Sequence, residues 1–247
     1  MTVRIINADC RKEMPKHAPF DMIIADPPYG DTSLTWDRRV DGWESVARDC
    51  LKVSGSMWVF GSLRFFMATA VKFEAAGWRY AQEVVWEKHN GSSFHADRFK
   101  RVHELVVQFY RADAPWGEVY NEVQTTPDAV ARSVKRKKGR PAHMGYIEQT
   151  PYASEDGGPR IMRSVIYMRG MHGRAIHPTE KPSALIEILV RTSCPPGGLV
   201  GDFFAGSGAA GDACQMSGRN YLGTEIDAEM ADAAMARLGG SLFSACA

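Results

Sequence analysis

Two apolar runs in this chain each stop at a segment suited to chemistry more than to packing. Residues 20–25 end at Asp26-Pro27-Pro28-Tyr29-Gly30, and a second run ends at Asp202-Phe203-Phe204-Ala205-Gly206-Ser207-Gly208. In α/β sheets the carboxyl ends of strands are where ligands sit. The order of the two along the chain matters as much as their presence, because it says how the sheet is wound.

The rest of the chain follows the same alternation. Residues 3–8 and 20–25 have strand patterns, joined by a short helical crossover over 11–17. A helix is expected over 43–53, before Ser54-Gly55, then a buried strand over 57–60 and a helix over 63–76 stopped by Gly77. Residues 80–87 and 104–110 read as two further strands with a polar, basic connection between them. After the middle of the chain, a helix over 183–192 precedes a strand over 198–203, a helix through Met216, a strand over 221–225, and a last helix that Asp227 would cap. Such βα alternation predicts an α/β fold, a mostly parallel sheet covered on both faces. The pattern breaks over 111–163, which holds five prolines and the basic run Arg132-Ser133-Val134-Lys135-Arg136-Lys137-Lys138-Gly139-Arg140. The expected organisation is therefore one α/β domain made of 1–110 and 164–247, with 111–163 as an insertion.

Composition narrows the setting. Hydrophobic residues make up 45% and charged residues 24%, with no run near the roughly 20 apolar residues of a membrane span. The N-terminus goes straight into a strand pattern without a signal peptide's apolar stretch. The five cysteines form no CxxC pair and no metal-type spacing, so a cytoplasmic, reduced protein without a metal site is expected. A formal net charge of +1 leaves any nucleic-acid partner to be decided by local charge.

Gly206-Ser207-Gly208-Ala209-Ala210-Gly211 lies between a strand and a helix, where glycines allow a tight turn and the helix N-terminus offers unpaired amides. Glu225 ends the next strand, placed to accept from both hydroxyls of a ribose. This fingerprint fits a nicotinamide enzyme about as well. Two features favour S-adenosylmethionine. Asp202, just before the loop, would oppose a pyrophosphate by roughly 1 kcal/mol or more and suit an α-ammonium. Little chain follows Glu225 to form the second half of a dinucleotide fold. The carboxylate of that cofactor would suit the Ser207 region and the helix terminus.

At the first strand end, two consecutive prolines remove two backbone donors and fix the chain in an extended form. Their carbonyls are free to face a cleft, Asp26 adds a charged acceptor, and Tyr29 adds a flat aromatic face. Together they can receive both hydrogens of an exocyclic amino group and stack on its ring.

Asp26-Pro27-Pro28-Tyr29 with Phe204-Ala205-Gly206-Ser207-Gly208 resembles the DNA amino-methyltransferases that modify adenine N6 or cytosine N4. The catalytic motif precedes the cofactor motif, as in the permuted β group of that family. His177-Pro178-Thr179-Glu180-Lys181-Pro182 is similar to the group's HPTxKP element. The resemblance covers nearly all of the chain outside 111–163. It implies a Rossmann-like class I methyltransferase fold, circularly permuted, in which the two strand ends lie side by side. It implies Asp26, Pro27, Pro28 and Tyr29 as catalytic residues. It also implies a cofactor site of Asp9, Cys10, Thr179, Lys181, Asp202, Phe203, Ala205, Gly206, Ser207, Gly208, Glu225 and Ile226, with Thr179 and Lys181 cradling the methionine end. Asp9 falls where the family contacts the cofactor's adenine, or else caps the helix that follows.

The implied reaction is direct methyl transfer to an amino nitrogen, with the base flipped out of the duplex at an unstacking cost of a few kcal/mol. No cysteine lies in the Pro-Pro-Tyr loop, which argues against cytosine C5 chemistry. Ser-Pro-Pro-Tyr is commoner for cytosine N4 in this family, so Asp26 favours adenine. Arg98, Lys100 and Arg101, with Arg132, Lys135, Arg136, Lys137, Lys138 and Arg140, are the candidates for contact with double-stranded DNA. The insertion is where the family keeps its target-recognition region. The competing readings are an N4-cytosine enzyme, a nucleotide-binding oxidoreductase, and a catalytically dead DNA-binding module. A homodimer and a restriction partner are left open.

Overall fold

The computed structural model describes residues 1–91, 96–134, 152–171 and 179–243. Contacts divide the chain into two units, Met1–Glu122 with Ser164–Ala247, and Val123–Arg163.

The first unit is built on an eight-stranded sheet. Its strands are β1 (Val3–Asn7), β2 (Phe20–Ala25), β3 (Leu51–Gly61), β4 (Trp78–Glu87), β5 (His103–Arg111), β10 (Val165–Tyr167), β11 (Leu199–Asp202) and β12 (Asn220–Glu225). They lie in the order β1-β12-β11-β2-β3-β5-β4-β10. Five of the seven pairings are parallel, and β5 runs antiparallel to both of its neighbours. The permuted winding is visible in two places. The first strand pairs with β12, Asn7 opposite Glu225. β2, which leads into the Asp26-Pro27-Pro28-Tyr29 turn, pairs directly with β11, Ile24 opposite Asp202.

Strand periodicity splits the core into two layers. On β2, Met22 and Ile24 face one layer, and Ile23 and Ala25 the other. On β3, Trp58 and Phe60 alternate with Met57 and Val59 in the same way. One layer is closed by α4 (Ser183–Ser193), α5 (Ala209–Ser217) and α6 (Ala228–Phe243), through Leu185, Leu189, Ala213 and Leu238. The other is closed by α1 (Cys10–Glu13), α2 (Trp43–Cys50) and α3 (Leu63–Ala75), through Cys10, Trp43, Phe65 and Phe73. Full burial of one such large side chain stabilises by about 1.5–3 kcal/mol. Asp227 caps α6 as expected, accepting from the Met230 amide at 2.9 Å. No described helix is long and apolar enough to cross a membrane.

Two boundaries differ from the sequence reading. The helix expected over 43–53 stops at Cys50, and β3 begins at Leu51. Phe20 pairs with Leu51 but Met22 with Ser56, so the extra residues of β3 form a bulge there. Ser54-Gly55 belongs to that bulge and does not end a helix. A β-carbon on Gly55 would lie 2.6 Å from the Asp21 carbonyl, which is why the close approach needs glycine. The second unit begins at Val123, twelve residues later than the insertion expected from 111. Residues 111–122 belong to the first unit, where the Tyr120 amide donates to the Ser54 carbonyl and the Glu122 amide to that of Thr192.

The second unit holds two short antiparallel pairs: β6 (Thr125–Thr126) with β9 (Arg160–Ile161), and β7 (Arg132–Val134) with β8 (Tyr152–Ser154). Arg132 is exposed on β7, whereas Lys135, Arg136, Lys137, Lys138 and Arg140 lie outside the described residues. So do His177 and Pro178.

A buried polar cluster locks α4 to the sheet. The Ser193 hydroxyl accepts from Trp58 Nε1 at 2.8 Å and from Gln108 Nε2 at 3.1 Å, all three being fully enclosed. Ser193→Ala leaves the indole donor buried and unpaired, and should lower unfolding free energy by about 1–3 kcal/mol. A denaturation midpoint unchanged from the wild type would refute this account.

Candidate active site

The chain leaves β2 at Ala25 and enters the Asp26-Pro27-Pro28-Tyr29 turn directly. Asp26 is half-buried and both its oxygens are engaged. Oδ1 accepts from the Tyr29 hydroxyl at 2.7 Å, and Oδ2 from the Lys181 ammonium at 2.6 Å. The Tyr29 ring packs at a tilt against Phe65, with centroids 5.6 Å apart. Burial, then the Asp26 charge, pushes the Tyr29 phenol well above its ordinary range. Downstream, Asp37 is buried and accepts from the amides of Gly30, Asp31 and Thr32 and from the Thr32 hydroxyl, at 2.7–3.0 Å. These bonds hold its carboxyl below its ordinary value against the cost of burial. Asp37 thus folds the segment after Tyr29, a role for which the sequence carries no local signal.

Lys181, expected at the methionine end of a cofactor, has its ammonium buried against the Asp26 carboxylate. Burial works to lower its pKa, but the carboxylates of Asp26 and Glu104 outweigh this and keep it raised. Thr179 is exposed, and its carbonyl accepts from Lys181 at 3.2 Å.

The glycine-rich strand end lies beside this turn through the β2–β11 pairing, where the Phe203 amide donates to the Ile24 carbonyl. Gly206 and Gly208 both have left-handed backbones, with φ of +49° and +78°. A β-carbon on Gly206 would meet nothing within 4 Å, so that face of the loop is open. Gly208 instead packs closely under Ala234 and Ile5. Glu225 bridges the loop to the start of α6: Oε2 accepts from the Gly206 amide and Oε1 from the Asp227 amide, both at 2.9 Å. Each oxygen keeps a lone pair for a further donor. Ile226, beside it, is an apolar side chain 73% exposed. Ser207 is buried, and its carbonyl accepts from Arg237 at 3.3 Å. The same guanidinium pairs with Glu180 and Asp212, fastening the loop to α5 and α6.

Several expected cofactor residues turn their side chains elsewhere. Phe203 is buried in the core against Trp43, and Ala205 is buried in the opposite layer. β11 ends at Asp202, so Phe203 and Ala205 lie on the turn beyond it, where the chain carries their side chains into the two different layers. Asp202 is interior, with Oδ1 accepting from the Phe204 amide and Oδ2 from the Tyr221 hydroxyl. Burial raises its carboxyl to about 7. It is therefore an internal link and not a ligand-facing charge. Asp9 takes the capping role: its carboxylate accepts from the Arg11 amide and pairs with the Arg11 guanidinium at 2.6 Å, which lowers its pKa. The Cys10 thiol lies in the core, pushed up to about 12 by burial, so only its backbone remains for a ligand.

Arg98, Lys100 and Arg101 are exposed on the connection between β4 and β5, with Arg98 paired to Asp97 at 2.7 Å. Phe99, between them, is fully exposed. Among the described residues no group of three or more His, Cys, Asp or Glu side chains could hold a metal ion.

The profile of the N6_N4_Mtase family, described as DNA methylase, matches residues 20–236. The type II methyltransferase M2.DpnII of Streptococcus pneumoniae is 24% identical over 261 residues, spanning 95% of this chain and 88% of that protein. Among solved structures, the M1.HpyAVI–SAM complex aligns with a TM-score of 0.65 at 23% identity, covering 96% of this chain and 100% of that one. The cytosine-N4-specific PvuII DNA methyltransferase aligns with a TM-score of 0.62 at 15% identity, covering 96% of this chain and 87% of that one. Both share the fold.

The raised Asp202 carboxyl has a measurable consequence. The folded chain binds this proton more tightly than the unfolded chain, whose aspartate titrates near about 3.9. Ionising it costs stability that accumulates as pH rises from about 4 to about 7. Asp202→Asn should therefore gain stability relative to the wild type across that window, by up to about 4 kcal/mol above it. Parallel pH–stability curves for the two proteins would contradict this.

Proposed function

The chain belongs to the N6/N4 DNA methylase family, and from that we propose that it transfers a methyl group from S-adenosylmethionine to N6 of adenine in double-stranded DNA. The observation that carries this reading is the pairing of β2 with β11, which brings an Asp-Pro-Pro-Tyr turn beside a glycine-rich loop. Membership of the family removes the oxidoreductase reading of the same loop. Asp26 as the first residue of its motif favours adenine over cytosine, and the location proposed is cytoplasmic.

The residues present fit the cofactor. The open face of Gly206 and the spare lone pairs of Glu225 suit a ribose, Ile226 an adenine ring, and the backbone about Asp9 and Cys10 the ring's polar edge. The first turn of α5 suits a carboxylate. When bound, S-adenosylmethionine supplies an electrophilic methyl group on a sulfonium.

The protein's own contribution is orientation. An exocyclic amino lone pair is delocalised into its ring. Hydrogen bonds from its two hydrogens to Asp26 and the Pro27 carbonyl localise it and aim it. Asp26 already accepts from Tyr29 and Lys181, which fixes the carboxylate before a base arrives. No strong base is needed, because the product nitrogen sheds its proton after transfer. Tyr29 supplies an aromatic surface beside the base. The unit Val123–Arg163 is proposed to recognise the target. Arg98, Lys100, Arg101 and Arg132 are proposed to neutralise phosphates, together with Lys135, Arg136, Lys137, Lys138 and Arg140.

Asp26→Ala should abolish transfer to DNA while cofactor affinity by calorimetry stays within a few fold, and equal loss of both would count against the assignment. Replacing Arg98, Lys100 and Arg101 with alanine should flatten the salt dependence of DNA binding by about one unit of slope for each phosphate that is no longer neutralised. An unchanged slope would exclude these three side chains from the DNA-binding surface. Sequencing DNA from cells with and without the active protein should reveal N6-methyladenine, whereas N4-methylcytosine would overturn the choice of base.

A further inference from the structure

Lys181 does not end at Asp26. It is also 3.6 Å from Oε2 of Glu104, near the start of β5. That distance is an ion pair beyond hydrogen-bond length, and Oε2 has no hydrogen-bond partner among the described residues. The other oxygen of Glu104, Oε1, pairs with the Lys88 ammonium at the end of β4. Four charges of alternating sign therefore run Asp26, Lys181, Glu104, Lys88. The Lys181 ammonium sits 5.5 and 5.4 Å from the ring centroids of Tyr29 and Phe60, which keep water from it. Lys88 lies closer to solvent, with 22% of its side chain exposed.

This arrangement bears on what Asp26 offers a substrate. An amino nitrogen becomes cationic as it is alkylated, so a negative field from Asp26 favours that change. A lone ammonium 2.6 Å away would cancel much of that field, since a close ion pair is neutral at a distance. A second carboxylate on the same ammonium restores the missing negative charge. Lys88, itself partly buried, contacts the other oxygen of Glu104, so it anchors that carboxylate and offsets part of its charge. Burial of Glu104 raises its pKa, but Lys181 and then Lys88 reverse this and hold it ionised.

We infer that Glu104 is a positioning residue for methyl transfer: by sharing the charge of Lys181, it keeps Asp26 oriented and electrically available to the target amino group. The inference rests on Asp26 being the acceptor proposed above. Glu104 touches neither base nor cofactor in this role. It acts through Lys181.

The test compares the full-length wild type with Glu104→Gln, Glu104→Asp and Lys181→Met. Each is measured for radiolabelled methyl transfer to unmethylated genomic DNA, cofactor affinity by calorimetry, thermal stability, and the Asp26 carboxyl signal in protein carrying 13C-labelled aspartate. Glu104→Gln should lower kcat by about tenfold or more. Its cofactor affinity should stay within about twofold and its Asp26 signal should move, with no DNA or cofactor present. Glu104→Asp keeps the charge but draws it back by a methylene, and should fall between the two. The double variant Glu104→Gln, Lys181→Met should be no worse than the poorer single one, because both act on one group. A Glu104→Gln protein with wild-type kcat and an unmoved Asp26 signal would overturn the inference. So would a loss explained wholly by weaker cofactor binding or by unfolding. Should Glu104→Gln not fold, a Glu104→Asp protein indistinguishable from the wild type in both readouts has the same force. A wild type that transfers no methyl group to DNA would refute the proposed function itself, and the Asp26 signal would still report on whether Glu104 positions that carboxylate.

Discussion

Everything in the first unit that bears on chemistry depends on the parallel pairing of β2 with β11. The two strands share three register pairs, and the bond from the Phe203 amide to the Ile24 carbonyl extends them to the point where both chains turn. Asp21 fastens the opposite end. Its carboxylate accepts from the Leu199 amide at 2.9 Å and pairs with Lys52 of β3 at 2.7 Å, so one side chain ties three strands in register. A slip of one residue would turn Met22 and Ile24 to the wrong layer and carry Asp26 away from the glycine loop. Register and active-site geometry are thus one constraint.

The electrostatics around that pairing divide into two kinds. Near Asp26 the charges are buried but matched, with each ammonium beside a carboxylate, and the burial cost is offset by close opposite charge. Around Asp202 its bonding partners are a hydroxyl and an amide, so burial dominates and the carboxyl titrates far above its ordinary range. Two aspartates at adjacent strand ends therefore do different work. One is held by Tyr29 and Lys181 at the turn and is proposed to present charge to a ligand, and the other joins β11 to Tyr221 of β12 from within.

Much of this is legible in the residues. Strand ends carrying Asp-Pro-Pro-Tyr and the glycine loop, the capping role of Asp227, and the order of the two motifs follow from local pattern and winding rules. What is not legible requires distant residues to meet. Lys181 and Asp26 are 155 positions apart, and a lysine next to a Thr-Glu pair says nothing of the carboxylate it will find. The helix over 43–50 gives way to strand without a glycine or proline, because Leu51 gains a sheet partner in Phe20 that no window of local sequence contains. Phe203 and Asp202 escape a motif-based reading for a related reason. A motif names positions, but the end of the strand and the turn after it decide which of them face the open side.

The winding also sets a timetable for the chain. The partners of β2 are Leu51–Gly61 on one flank and Leu199–Asp202 on the other, and β1 pairs with a strand over 200 residues further on. As the chain emerges from synthesis, β2 can pair with β3 early, but its other edge waits for β11 and β1 waits for β12. Contacts of such long sequence separation close late and leave apolar edges exposed meanwhile. The winding that sets the two motifs side by side thus means that the site cannot exist until β11 has been made.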